Sequence, residues 1–313
     1  MRPSRPVLVR IIYSPRYRLD LGPHVFPTEK YELVLQLLLD SGLVRDSDVI
    51  EPTPASWEQL ALVHTEPYLR HMKHGTLPPD DVALLELPYS HELVEGYRLM
   101  VGGTVLAARI ACGIEPMTKS QGVAVHLGGG LHHAFPNHGE GFCPFNDIAV
   151  AVRVLQREGL GRAAIVDLDV HHGNGTAAIF GAHPNVFTCS IHQENNYPDW
   201  KPHGSLDIGL PDGANDALFL RALEGALEKV AASEPAWVVY LAGADPFEED
   251  QLGGLRLTKD GLRRRDRLVI EMCRALGVPL VITLAGGYAH RVEDTVAIHA
   301  ATVEEASALH PAD

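Results

Sequence analysis

The chain has 313 residues, 46% of them hydrophobic, with a mean hydropathy of −0.01, so it can bury a sizeable core as an ordinary globular protein. Lys plus Arg number 26 against 40 for Asp plus Glu, a net charge of −14 that argues against a nucleic-acid backbone as ligand. It suits cationic substrates, or simply solubility. Residues 7–13 are apolar but broken by Arg10 and too short for a signal segment, and no run approaches the ~20 apolar residues that cross a bilayer. Cys112, Cys143, Cys189 and Cys273 are widely spaced without a Cys-x-x-Cys pair. They read as reduced thiols of a cytoplasmic protein, so any metal must rely on His and carboxylate.

In chain order, strands are predicted at 7–13, 122–127, 163–169, 186–192, 237–242 and 279–284, where short β-branched or apolar runs occur. Helices are predicted at 30–40, 92–111, 148–157, 216–232, 260–276 and 294–306. The alternation indicates βαβ units and an α/β fold with a mostly parallel sheet covered on both faces. No repeat, low-complexity tract or linker divides the chain, so one domain over 1–313 is expected. The basic run Arg263-Arg264-Arg265-Asp266-Arg267 reads as a solvated helix face pairing with nearby acids.

The chemistry-bearing residues follow the strands. Gly128-Gly129-Gly130 leads to His132-His133, and 163–169 leads through Asp167, Asp169 and His171 to Gly173, Asn174 and Gly175. Gly243-Ala244-Asp245 and Gly286-Gly287-Tyr288 close the last two strands. Ligands of parallel sheets bind beyond the carboxyl ends of strands, so these loops point to one shared site.

An extended strand through Asp167, Asp169 and His171 would send all three side chains to one face. Asp169 and His171 offer two metal ligands, and Asp245 is the natural third. Two carboxylates, an imidazole and an open position suit Zn²⁺ acting on water, while Fe²⁺ or Mn²⁺ stays open. His132 and His133 could pass a proton from water to a leaving amine, with Asp167 and Asn174 as candidate partners for their outer ring nitrogens. Tyr288 could donate to an oxyanion opposite the metal, a contact worth roughly 3 kcal/mol in comparable sites.

With Gly141-Phe142-Cys143, Asn146-Asp147 and Leu252-Gly253-Gly254-Leu255 between them, these motifs stand in the order found in histone deacetylases, which the chain resembles from about Tyr13 to His299. Tyr13-Ser14-Pro15 and His24-Val25-Phe26-Pro27 look most like the class IV branch and its bacterial relatives. The resemblance implies the arginase/deacetylase α/β fold and a Zn²⁺-dependent amidohydrolase acting on acylated lysine peptides or proteins. An acetylpolyamine or another small acylated amine is the alternative substrate.

By motif, the resemblance makes Asp169, His171 and Asp245 the zinc ligands, and His133, supported by Asn174, the general base and acid. His132 with Asp167 contributes electrostatically, and Tyr288 polarises the acyl carbonyl. Gly141, Phe142 and Leu252 line a tunnel for the aliphatic stem, with Glu86 as a rim acid. Asp167, Asp169, His171, Ser190 and Ile191 match a structural K⁺ site. Cys143 reads as packing. Departures from the class I pattern lie at Tyr197 and Trp200, and at Glu29-Lys30, where class I proteins place an inner-cavity arginine. A binuclear arginase-type site would need acids where the chain has Gly173 and Phe247, and a non-catalytic binder would be expected to have lost one of these groups.

Overall fold

A computed structural model of the chain describes residues 9–115, 122–181 and 183–308. Its eight strands are β1 (Arg10–Ile12), β2 (Val49–Ile50), β3 (Val123–His126), β4 (Ala163–Asp167), β5 (Val186–Gln193), β6 (Leu206–Leu210), β7 (Trp237–Leu241) and β8 (Leu280–Thr283). They form one sheet in the order β2-β1-β3-β8-β7-β4-β5-β6, every pair parallel. Central strands such as β7 (Trp-Val-Val-Tyr-Leu) are buried along their whole length, as a parallel sheet covered on both faces requires.

The helices are α1 (Lys30–Asp40), α2 (Trp57–Leu60), α3 (Glu66–His74), α4 (Pro79–Leu85), α5 (His91–Ala111), α6 (Asp147–Arg157), α7 (Asn174–Phe180), α8 (Asp216–Ala232), α9 (Lys259–Leu276) and α10 (Val292–Ala308). Side chains start several of them: Ser90, Asn146, Asn215 and Thr258 each accept a backbone N–H of the first turn. Helix α5 packs on β1, β3 and β8 with α6 against it, while α8, α9, α10 and α1 form a second continuous row. Among the described residues no helix is long and apolar enough to cross a membrane.

The six predicted strands and six predicted helices all have counterparts, with shifts at their ends. Residues 7 and 8 lie outside the described residues, and strand β1 begins at Arg10. Strand β4 stops at Asp167, so the period-two argument carries only that far; Asp169 and His171 follow in a bend rather than in extended strand. The reading of 263–267 as a solvated face needs correction. Arg265 and Asp266 are 0% and 1% exposed, because they share the buried face of α9 with Leu262, Val269, Ile270 and Cys273. Burying that charge is met by the Asp266 carboxylate and by backbone oxygens. Arg263 and Arg267 do face acids, both pairing with Glu305 of α10.

The sheet order sets β3, β8, β7, β4 and β5 side by side, so the loops after these five strands meet at one end.

Candidate active site

Leu168 makes a sheet-like bond just beyond β4, its N–H donating to Leu241 O at 3.2 Å. The chain then bends so that Asp169 and His171 converge with Asp245, and one ligand atom from each lies within 4.8 Å of the others. The bend is held by the acids themselves. Asp169 Oδ1 accepts His171 N–H at 3.0 Å, Asp169 Oδ2 accepts Gly286 N–H at 2.9 Å, and Asp245 Oδ1 accepts Val170 N–H at 2.9 Å. From beneath, the buried Arg265 guanidinium donates to Gly243 O at 2.5 Å and reaches Leu168 O at 3.4 Å, tying the β7 and β4 loops together.

His171 Nδ1 sits 3.0 Å from Asp169 Oδ1 and 3.5 Å from Asp245 Oδ2. Among the described residues, Asp245 Oδ2 is buried without a hydrogen-bond partner. A Cβ added at Gly286 would lie 1.9 Å from Asp245 Oδ2 and 2.5 Å from Asp169 Oδ2, so the absent side chain leaves a cradle between the carboxylates. An unpartnered buried carboxylate oxygen facing an imidazole nitrogen and a second carboxylate is a donor set for a divalent cation. Electrostatics agree. Burial and the charge of Asp169 push the Asp245 carboxyl up to about 7. Burial works against a charged His171, yet the Asp169 and Asp245 carboxylates outweigh it and raise the ring to about 10. Protons here stand where a cation would.

The histidine pair descends from the glycine loop after β3. Gly129 and Gly130 take φ of 72° and 76°, where a side chain is disfavoured, and a Cβ at Gly129 would lie 2.4 Å from Asp147 Oδ2. Asp147 accepts the N–H groups of Gly130 at 3.1 Å and Leu131 at 2.7 Å, fixing the loop just before the histidines. His132 Nδ1 lies 2.7 Å from Asp167 Oδ2, and His133 Nδ1 lies 2.8 Å from Asn174 Oδ1. The two Nε2 atoms face each other at 3.1 Å.

The environments separate the two rings. Burial opposes a charge on His132, but Asp167 and Asp169 outweigh it and raise that ring to about 9. Burial, reinforced by His132, holds His133 well below the ordinary histidine value. Gly175 permits this arrangement, since a Cβ there would lie 2.3 Å from Ala134 O and 2.6 Å from the His133 carbonyl carbon.

Tyr288 donates its N–H to Asp250 Oδ2 at 2.6 Å, and burial raises its phenol well above the usual value, keeping the O–H as a donor. The buried Lys30 amine donates to Ala285 O at 2.9 Å and lies 5.4 Å from the Tyr288 ring centroid. Burial lowers that amine to about 8. Lys30 is thus the cation found at the departure noted around Glu29-Lys30.

A cavity of about 200 Å³ opens above this floor, with Phe26, Gly141, Phe142, Tyr197 and Leu252 in its walls. Phe142 stacks on Phe26 with centroids 6.3 Å apart and meets Tyr288 edge-on at 6.0 Å. Cys143 is buried in the wall and its thiol is pushed up by burial, so it packs rather than reacts. Glu86, at the end of α4, lines the cavity and is exposed. Ser190 pairs in register with Asp167 across β4 and β5, Ile191 is fully buried beside it, and Ser190 Oγ lies 3.0 Å from His192 Nδ1. Trp200 is 65% exposed and stacks on Phe135 outside the cavity wall.

Sequence reasoning missed three supporting residues: Glu140, Asp250 and Arg265. Asp250 precedes the Leu252-Gly253-Gly254 motif and accepts the N–H groups of Leu252 and Gly253 as well as of Tyr288. Its place just ahead of a glycine-rich loop was the available signal. The other two carry none, because each is defined by a partner distant in sequence.

The histone deacetylase domain model matches residues 24–303. An uncharacterised protein of Picosynechococcus is 41% identical over 92% of this chain and 95% of its own length. Histone deacetylase 2 of Arabidopsis thaliana is 31% identical over 90% of this chain and 74% of that protein. The crystal structure of a histone deacetylase homologue from Aquifex aeolicus superposes with a TM-score of 0.81 at 27% identity, covering 95% of this chain and 84% of that one. An acetylpolyamine aminohydrolase from Burkholderia pseudomallei shares the fold, with a TM-score of 0.79 at 22% identity over 96% of this chain and 99% of that one. The parallel sheet is that of the arginase/deacetylase fold, and the chain belongs to the histone deacetylase family.

Proposed function

We propose that this deacetylase is a Zn²⁺-dependent amidohydrolase that removes acetyl or longer acyl groups from acylated lysine side chains. The observation that carries the reading is the buried cluster of Asp169, His171 and Asp245, two of which, Asp169 and His171, line a largely apolar cavity, with Asp245 Oδ2 unpartnered among the described residues. These three residues would hold the ion. When bound, it supplies Lewis-acid activation of a water and of the acyl carbonyl.

The remaining work falls to the chain's own groups. His133, kept neutral by burial, is the proton acceptor; it takes a proton from the attacking water and returns it to the amine as the C–N bond breaks. His132, drawn toward the charged form by Asp167 and Asp169, offsets the negative charge that builds up. The Tyr288 phenol donates to the carbonyl oxygen as it becomes an oxyanion, a contact preorganised by the Asp250 bond to its backbone. Phe142, Gly141 and Leu252 enclose the aliphatic stem, and Glu86 grips a donor at the mouth. We further propose K⁺ beside Asp167, Asp169, His171, Ser190 and Ile191 as a structural ion. A second metal of the arginase kind is disfavoured: a Cβ at Gly173 would already lie 2.4 Å from Asp167 Oδ2, and Phe247 is buried.

A specific observation favours one rival. The exposed Glu86 carboxylate would equally suit the free ammonium of an acetylpolyamine. The test is to assay purified protein, with its metal content measured, against acetyl-lysine peptides, longer acyl-lysine peptides and acetylpolyamines. Acetate release from acetyl-lysine peptide is expected, lost after chelation, restored by Zn²⁺ more than by Fe²⁺, and abolished in His133→Ala. Asp169→Ala should purify without the ion. Activity confined to acetylpolyamines would reassign the substrate, and hydrolysis indifferent to chelation would overturn the metal reading.

A further inference from the structure

We infer that Glu140 is a positioning residue for the reaction, a carboxylate that sorts the Asn174 amide toward His133 and braces Tyr197 in the cavity wall. The inference rests on the deacetylase reading above. Glu140 does not line the cavity; it stands one layer behind it, its side chain 13% exposed. One oxygen, Oε1, accepts from Asn174 Nδ2 at 2.5 Å and from Tyr197 Oη at 2.9 Å, and Oε2 lies 3.2 Å from His138 Nε2. The backbone that carries this side chain is held in place. Cys143 N–H returns to Glu140 O at 2.9 Å across a tight turn in which Gly141 and Phe142 take φ of 52° and 66°. Phe142 bears a side chain in that left-handed region, a strained choice retained where the surroundings determine it.

The chemistry follows from the donor and acceptor count. An asparagine has two unlike ends, whereas a carboxylate accepts only. Glu140 therefore takes the Nδ2 end, which leaves Oδ1 for His133 Nδ1 at 2.8 Å and for Gly175 N–H at 3.0 Å. With Oδ1 as its partner, His133 Nδ1 carries the hydrogen and Nε2 keeps the lone pair that accepts a proton from water. An aspartate at 174 would present two equivalent acceptors and need no sorting. The neutral Asn174 does, and Glu140 performs it. The same oxygen holds the phenol of Tyr197, whose ring meets His133 edge-on at 5.0 Å, so wall and base share one anchor.

The test measures kcat and KM for the wild type, Glu140→Leu, Glu140→Gln, Asn174→Asp, Tyr197→Phe and the Glu140→Leu/Asn174→Asp double variant. Glu140→Leu is expected to lower kcat about 10- to 100-fold, the range for losing a group that orients an active-site histidine. Glu140→Gln, which keeps an acceptor for Asn174, should recover most of that loss. In the Asn174→Asp background, Glu140 faces a second carboxylate that must share a proton with it or move away, and no amide is left to sort, so Glu140→Leu should leave kcat unchanged or raise it. Tyr197→Phe should act on KM more than on kcat. An equal loss in both backgrounds would mean a general structural role and would overturn the inference, as would no loss in either. A crystal structure of Glu140→Leu gives a readout independent of turnover: Asn174 should leave hydrogen-bond reach of His133. An unmoved Asn174 overturns the inference even if the wild type hydrolyses no acylated amine, an outcome that would by itself overturn only the functional reading.

Discussion

Asp245 Oδ2 is a buried carboxylate oxygen with no hydrogen-bond partner among the described residues. Such an atom costs about 1–3 kcal/mol when left unpaired, so a fold that retains it retains it for something. The absent side chain at Gly286 keeps the space beside it open, and a methyl there would fall 1.9 Å from that oxygen. Gly286→Ala is therefore expected to cost at least tenfold in affinity for the divalent ion while the protein still folds. Metal titration monitored by calorimetry, with circular dichroism as the folding control, checks this; wild-type affinity would show that the ion does not occupy the cradle. At this scale the sequence was legible where a motif concentrates ligands. Asp169, His171 and Asp245 stand out only together: a lone acid after an apolar strand is more often a cap or turn residue, and two acids with an imidazole reverse that reading. Glu140 does not stand out: it looks like a loop acid, and only its contact with Asn174, far along the chain, distinguishes it. Lys30 was marked only by its position, and its buried bond to Ala285 O shows what it does.

Between residues and fold lies the polar seam beneath the β3 loop, where three elements meet. Tyr17 Oη lies 2.7 Å from His126 Nε2, Thr104 Oγ1 lies 2.9 Å from His126 Nδ1, and the same hydroxyl donates to Asp147 at 2.5 Å. Asp147, at the start of α6, passes this anchorage to the N–H groups of Gly130 and Leu131. Removing the carboxylate strands those buried donors, so Asp147→Ala should destabilise the protein by about 3 kcal/mol and displace His132 and His133. Urea unfolding measures the first effect and loss of turnover in the remaining folded protein the second; an active variant of unchanged stability would deny the seam its role. The elements themselves were unevenly legible. The central strands and long helices declare themselves by continuous burial or by period. Strand β2 is two residues long and β6 (Leu-Asp-Ile-Gly-Leu) lies at the sheet edge, so neither makes an apolar run. Helix α7 begins Asn-Gly-Thr and spans seven residues, its existence resting on contact with the His132–Ala134 backbone rather than on propensity.

The whole molecule binds protons differently from its unfolded chain, and the difference divides at about pH 6.5, the ordinary histidine value. His64, His126 and His192 are lowered by burial to about 4, 3 and 3. Below that pH the unfolded chain takes up protons these rings refuse, so stability falls as pH falls. His132 and His171, raised to about 9 and 10, do the reverse: above pH 6.5 the folded state holds protons that the unfolded chain has released, and stability falls as pH rises toward 9. Asp245, raised to about 7, adds a decline of the same sign between its unfolded value of 3.8 and 7. A divalent ion at the cluster replaces the protons on His171 and Asp245, which removes two of these three penalties and leaves His132 alone. The metal-free protein should therefore be most stable near pH 6.5 and lose melting temperature as pH rises, most steeply below pH 8, above which the lowered Lys30 amine works in the opposite direction. The metal-loaded protein keeps only the His132 decline and should lose less melting temperature over that range, so the gap between the two widens with pH. Scanning calorimetry from pH 5 to 9, with and without a chelator, decides it. A gap that stays constant or narrows would mean that the ion binds elsewhere, because only a cation on His171 and Asp245 competes with these protons.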